Sequence, residues 1–189
     1  MYDTGQETIS LSRRFGEAGR PCVLIVMGVS GCGKSTLAQL MAERMAWPLI
    51  EGDDLHPPAN IARMSNGIPL TDTDRTPWLG LIADQIRSWR DAGQCGIVTC
   101  SSLKRSYRRQ IGGDCADVCF VYLKGSKEDI MPRLYQRTGH FMPVAMLNSQ
   151  LATLEEPDMH EEVVMVLDIN APQEQLADRA CAQLTRFSL

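Results

Sequence analysis

The stretch Gly28-Val29-Ser30-Gly31-Cys32-Gly33-Lys34-Ser35 places three glycines, a lysine and a hydroxyl in the order G-x-x-x-x-G-K-[ST]. Glycine at 28, 31 and 33 removes Cβ atoms, so backbone N–H groups can turn inward around phosphate oxygens. Lys34 reaches the β- and γ-phosphates of a bound nucleotide, and the Ser35 hydroxyl takes a coordination position on Mg2+. Thr36, the next residue, belongs to the same nucleotide-binding set. The helix that opens near Gly33 points its positive end at the same phosphates. The chemistry expected is phosphoryl transfer, with ATP and Mg2+ as cofactors.

Three further groups suit an acceptor and a closing lid. Glu51-Gly52-Asp53-Asp54 follows a short apolar run, and a carboxylate there can take the proton of an attacking hydroxyl or hold Mg2+ through water. Asp53 is the expected base, and Glu51 the weaker candidate for the metal side. Arg133 and Arg137 are four apart, so a helix places both on one face; with Gly139 and His140 just beyond, they suit a lid that clamps phosphates and excludes water. Ser101, Ser102, Lys104, Arg105, Arg108 and Arg109 form a cationic patch that points to an anionic acceptor. A GTPase switch would need N-K-x-D and D-x-x-G, and neither tetrapeptide occurs.

Positioning these groups falls to alternating elements. Strands are expected at Cys22–Met27, Pro48–Ile50, Gly96–Cys100, Val118–Leu123 and Val163–Leu167. Helices are expected at Lys34–Ala46, Pro57–Met64, Trp78–Trp89, Leu103–Ile111, Lys127–Gln136, Val144–Leu154 and Glu174–Arg186. That order predicts an α/β fold with a parallel sheet covered on both faces. The 189 residues, 44% of them hydrophobic, suffice for one domain from about residue 21 onward, with residues 1–20 as a mobile extension. A net charge of −4 argues against a nucleic-acid partner, and no apolar run is long enough to span a membrane. The seven cysteines are odd in number and lack a C-x-x-C pair, as expected of reduced thiols in the cytoplasm.

A family resemblance now becomes visible. Gly52-Asp53-x-Leu55-His56-Pro57-x-x-Asn60-Ile61-x-x-Met64-x-x-Gly67-x-Pro69-Leu70 resembles the substrate region of the gluconokinases, as does Asp72-x-Asp74-Arg75-x-Pro77-Trp78-Leu79. Further matches are Cys100-Ser101-x-Leu103-Lys104-x-x-Tyr107-Arg108, Tyr122-Leu123-Lys124-Gly125 and Arg133-Leu134-x-x-Arg137-x-Gly139-His140-Phe141. Met146-Leu147-x-Ser149-Gln150 and Asp168-Ile169-x-x-Pro172 complete a likeness running from about Val23 to the C-terminal helix.

The resemblance implies a three-layer P-loop kinase fold, related to shikimate and nucleoside-monophosphate kinases, with a five-stranded parallel sheet and a small mobile lid over about residues 133–150. It implies transfer of phosphate from ATP to the 6-hydroxyl of D-gluconate, on the pentose phosphate and Entner–Doudoroff routes, by a homodimer. Asp53 would activate that hydroxyl, with Lys34 and Arg137 as the other catalytic groups. His56, Arg63, Arg75, Ser101, Lys104, Arg108, His140 and Gln150 are the implied substrate contacts. Arg133 would stack over adenine or contact phosphate, and Asn170 and Pro172 would lie at the adenine. One departure stands out: the third strand ends without the Asp of a Walker B motif, leaving the metal to Ser35, Glu51, Asp53 and water. The alternatives are a kinase for another small acidic or polyol metabolite, such as shikimate, and a nucleotide-dependent regulatory module.

Overall fold

The computed structural model describes residues 9–11, 22–136 and 144–186. Along the chain these form β1 (Ile9–Leu11), β2 (Val23–Met27), α1 (Lys34–Met45), β3 (Leu49–Glu51), a 3-10 turn (Gly52–Leu55), α2 (Pro58–Ser65) and α3 (Asp72–Asp91). They continue with β4 (Gly96–Thr99), α4 (Arg105–Gln110), β5 (Val118–Lys124), α5 (Lys127–Gln136), α6 (Val144–Thr153), β6 (Val164–Asp168) and α7 (Gln173–Thr185). The strands make one sheet in the order β1-β6-β5-β2-β4-β3. All neighbours run parallel except β1, which pairs antiparallel with β6.

The central strand shows why the chain layers as it does. All five residues of β2 are buried, as a parallel strand covered on both faces requires. Leu24 and Val26 face α1 and α7, packing with Leu37, Met41, Leu176 and Ala180. Val23, Ile25 and Met27 face the opposite way, into Trp78, Ile82 and Ile86 of α3 and Tyr107 and Ile111 around α4. The two-residue alternation of the strand thus separates two cores. Because β2 lies between β4 and β5, the loop leaving its carboxyl end opens where the strand order reverses, the usual ligand crevice of an open α/β sheet.

Three features differ from the sequence expectation. The sheet has six strands, not five: Ile9–Leu11, in the stretch read as an N-terminal extension, adds an edge strand by backbone pairing with Met165–Leu167. A three-residue edge strand leaves no periodic signature. Helix α3 begins at Asp72, not Trp78. Thr71 Oγ1 accepts from Asp74 N (3.2 Å), and Asp74 Oδ2 accepts from Thr71 N (2.8 Å), a capping box that nucleates a polar first turn with no apolar periodicity to read. Helix α4 starts at Arg105, not Leu103, because Ser102 adopts φ 47° and the chain must turn before it can coil.

Candidate active site

The phosphate loop is built as its glycines demand. Gly28, Gly31 and Gly33 take φ of 139°, 84° and 104°, the left-handed region that side chains disfavour. Val29 and Cys32 turn their side chains into the core, so only their backbones face the loop. Burial also pushes the Cys32 thiol above its ordinary value, keeping it neutral. Lys34 Nζ lies 3.2 Å from the Val29 carbonyl, folded along the loop it serves. Ser30, Lys34, Ser35 and Thr36 line a cavity together with Glu51, Asp53 and Arg133.

The acidic loop is pinned from two sides. Gly52 donates its N–H to Thr99 Oγ1 (3.1 Å), and the Gly52 carbonyl accepts from Trp78 Nε1 (2.6 Å). No side chain fits here, since a Cβ on Gly52 would stand 2.0 Å from the Thr99 carbonyl oxygen. Thr99 Oγ1 in turn donates to Glu51 Oε2 (2.6 Å). Clamping Gly52 holds Glu51 and Asp53 on either side of it at the cavity wall.

A second cavity adjoins the first. Ser30, Lys34 and Asp53 line it too, and His56, Arg75, Ser101, Ser149 and Gln150 supply its other polar groups, with Met64, Pro69, Leu70, Trp78 and Leu103 as apolar walls. His56 stacks on the Trp78 indole, with centroids 4.0 Å apart and 16° between planes. Burial, with a smaller contribution from the Arg75 charge, holds His56 below its ordinary pKa, opposed by Asp53. The ring is therefore neutral at pH 7. Asn60 Nδ2 donates to the Asp74 carbonyl (2.8 Å) and lies 3.4 Å from His56 Nδ1; a ring accepting there carries its proton on Nε2. Gln150 Oε1 accepts from Ser30 N (2.7 Å), tying α6 to the phosphate loop. Arg75 Nη1 donates to the Leu70 carbonyl (2.6 Å).

Several expected contacts lie elsewhere. Arg108, read as part of the acceptor patch, is 1% exposed. Its Nε and Nη2 meet the two carboxylate oxygens of Glu162 (2.6 and 3.1 Å), and Nη1 donates to the Ser102 and Glu155 carbonyls (3.0 and 2.9 Å). Four of its five N–H groups are thus taken, and the side chain is buried away from the lining of the acceptor cavity, so Arg108 is a buried strut that shapes the turn at Ser102. Lys104 is drawn outward by Asp72, whose two oxygens lie 2.9 and 2.7 Å from Nζ, and does not line the acceptor cavity. Arg63 sits beyond it, 3.6 Å from the Asp74 carboxylate. Arg137 and His140, with residues 137–143 of the expected lid, lie outside the described residues. Arg133 is described and donates Nη2 to the Ile169 carbonyl (2.5 Å), next to Asn170 and to Pro172 at the start of α7.

The assignment of Arg108 is testable. Arg108→Met leaves the Glu162 carboxylate buried and unpaired, and should lower the unfolding free energy by about 3–5 kcal/mol in denaturant titration. The folded fraction should keep its acceptor KM. A raised acceptor KM with unchanged stability would return Arg108 to the substrate.

Sequence reading passed over Thr99 and Gln173. Thr99 ends β4, one residue short of the expected strand end at Cys100, and its hydroxyl carries no motif to read. Gln173 directly follows Pro172, a helix-start signal, but its side chain reaches back to the phosphate loop. Where the sequence lacks a Walker B acid, the register Glu51↔Thr99 sets a carboxylate on β3, one strand over, oriented by the Thr99 hydroxyl. The hydroxyl of Ser35 and the carboxylates of Glu51 and Asp53, all oxygen donors on one cavity, fit a hard cation such as Mg2+. Among the described residues no helix is long and apolar enough to cross a membrane.

Comparison with known proteins agrees with this geometry. No family model matches the chain. The gluconokinase of Gluconobacter oxydans (strain 621H) is 52% identical over 147 residues, covering 78% of this chain and 83% of its own. A gluconokinase structure from Sinorhizobium meliloti 1021 superposes with a TM-score of 0.77 at 44% identity, covering 89% of this chain and 94% of its own. A sugar kinase structure from Janibacter sp. HTCC2649 gives 0.81 at 45%, covering 87% and 95%. At 52% identity to a gluconokinase over 78% of its length, the chain belongs to the gluconokinase family.

Proposed function

We propose that the chain transfers the γ-phosphoryl group of ATP to the 6-hydroxyl of D-gluconate, giving 6-phosphogluconate and ADP. One observation carries this reading: Ser30, Lys34 and Asp53 line both cavities, so a donor in the phosphate loop and an acceptor beside His56 would meet at these three side chains. Beyond the shared Ser30, Lys34 and Asp53, the acceptor cavity combines the Arg75 cation with the neutral polar groups of His56, Ser101, Ser149 and Gln150, a set suited to a polyhydroxylated carboxylate.

In this reading Arg75 meets the carboxylate and His56 Nε2–H donates to a sugar hydroxyl. Asp53 orients the 6-hydroxyl and accepts its proton as the oxygen attacks phosphorus in line. The oxygen–phosphorus bond to ADP breaks as the new ester bond forms, while Lys34 and Arg133 offset charge on the phosphoryl oxygens. Mg2+, held by Ser35, Glu51 and Asp53 directly or through water, would supply further charge neutralisation. Arg137 and His140 would complete the lid. Family kinship supports a homodimer, which light scattering would test, and a place in cytoplasmic sugar-acid metabolism.

Arg75→Met should raise the gluconate KM by about tenfold or more, with the ATP KM little changed, because a charged hydrogen bond to the acceptor is lost. The position of transfer is read by proton-coupled phosphorus NMR of the product. A primary ester gives a triplet from two neighbouring protons. A doublet would place the phosphate on a secondary hydroxyl and contradict the proposed orientation.

A further inference from the structure

Helix α7 begins with Gln173, and the amide of this side chain lies against the phosphate loop. A Cβ built on Gly33 would stand 2.5 Å from Gln173 Nε2 and 3.6 Å from Oε1, so the nitrogen is the atom nearer the loop and only glycine leaves room for it. Both amide atoms are shielded from solvent, and neither has a hydrogen-bond partner among the described residues. A carboxamide so placed has given up its water without compensation, which native structures rarely tolerate outside functional sites. Yet Gln173 lines the same cavity as Gly33, Ser35, Thr36 and Arg133. Backbone donors at this end of a phosphate loop surround the α- and β-phosphates, whereas Lys34 extends toward the γ-phosphate.

From this juxtaposition we propose that Gln173 is a nucleotide-binding residue whose Nε2 donates to an α- or β-phosphate oxygen. The inference rests on reading this cavity as the ATP site, and it adds a side chain that the loop motif does not contain. Those phosphates are common to ATP and ADP and do not change bonding to the acceptor. Gln173 therefore contributes to binding in ground state and transition state alike, a signature that separates it from the catalytic groups.

Gln173→Met keeps the length of the side chain and removes the amide. Calorimetric titration of the wild-type chain and of this variant with Mg·ADP, paired with steady-state kinetics, gives the test. Loss of one hydrogen bond to a charged oxygen should weaken ADP binding and raise the ATP KM by about tenfold, with kcat and the gluconate KM within about twofold. The nucleotide-free variant should melt no lower than wild type, since an unpaired buried amide has been replaced by an apolar group. Gln173→Glu, which sets a carboxylate against the phosphates, should bind ADP more weakly than the Met variant. Wild-type ADP affinity in both variants would overturn the inference, as would a lowered melting temperature with unchanged ADP affinity, the mark of a structural role. Absence of ADP binding by the wild-type chain would overturn the nucleotide-site reading itself, which is a separate result.

Discussion

Asp53→Asn should lower kcat with gluconate by about 10²- to 10⁴-fold, the range in which a positioned proton acceptor contributes. The substitution preserves the size of the side chain, and Gly52 stays clamped between Thr99 and Trp78, so the loop keeps its shape. The amide still accepts a hydrogen bond from the acceptor hydroxyl but cannot take its proton. Binding of ADP in the absence of metal should therefore change little, while turnover collapses. Asp53 is exposed toward the shared mouth of the two cavities, where a donor and an acceptor would meet. Near-full turnover in Asp53→Asn, measured under saturating ATP and gluconate, would remove the base from the mechanism and leave Asp53 as a loop acid.

Lys34→Met should lower kcat by about 10²- to 10³-fold, as loss of one preorganised donor to developing charge does elsewhere. The methionine follows the same path along the loop but offers no charge to the β- and γ-phosphates. Because among the described residues Lys34 Nζ bonds only the Val29 carbonyl, at 3.2 Å, its removal deletes no core contact and the melting temperature should hold. Stability is thus the control that separates this variant from Arg108→Met, in which a buried pair is broken. A Lys34→Met protein retaining most of its turnover would show that the loop binds something other than the transferring phosphates.

How far the sequence reveals these parts depends on how local their causes are. The phosphate loop is legible because its glycines, lysine and serine act within eight residues and sit between an apolar strand and a helix. Strands β2, β4, β5 and β6 are legible because burial makes each an apolar run, and half-buried β3 is marked by Leu49 and Ile50 ahead of the acidic loop. Strand β1 is not: it exists through backbone pairing to Met165–Leu167, far along the chain. Arg108 misleads for the same reason. Its partner Glu162 lies 54 positions away, and without it a buried strut looks like an exposed cation on a basic helix. Lys104 follows Ser101, which lines the second cavity, by three positions, but Asp72 from another helix holds it outside. Gln173 could be found only by folding α7 back over Gly33. Short-range chemistry survives in the linear pattern, and long-range pairing does not.

The two cavities make a demand on substrate choice that one assay meets directly. Coupled ADP release with Mg·ATP would be measured for D-gluconate, shikimate, glucose, glycerate and AMP at matched concentrations. Glucose lacks the carboxylate that Arg75 is placed to meet, and AMP would need a second base-binding surface. The expected result is turnover with gluconate exceeding every other acceptor by about a hundredfold or more, since a site that hydrogen-bonds its substrate rejects analogues that leave those groups unpaired. Turnover with another acceptor and none with gluconate would contradict the assignment of the cavity beside His56, Arg75 and Gln150, while leaving the phosphate loop its role.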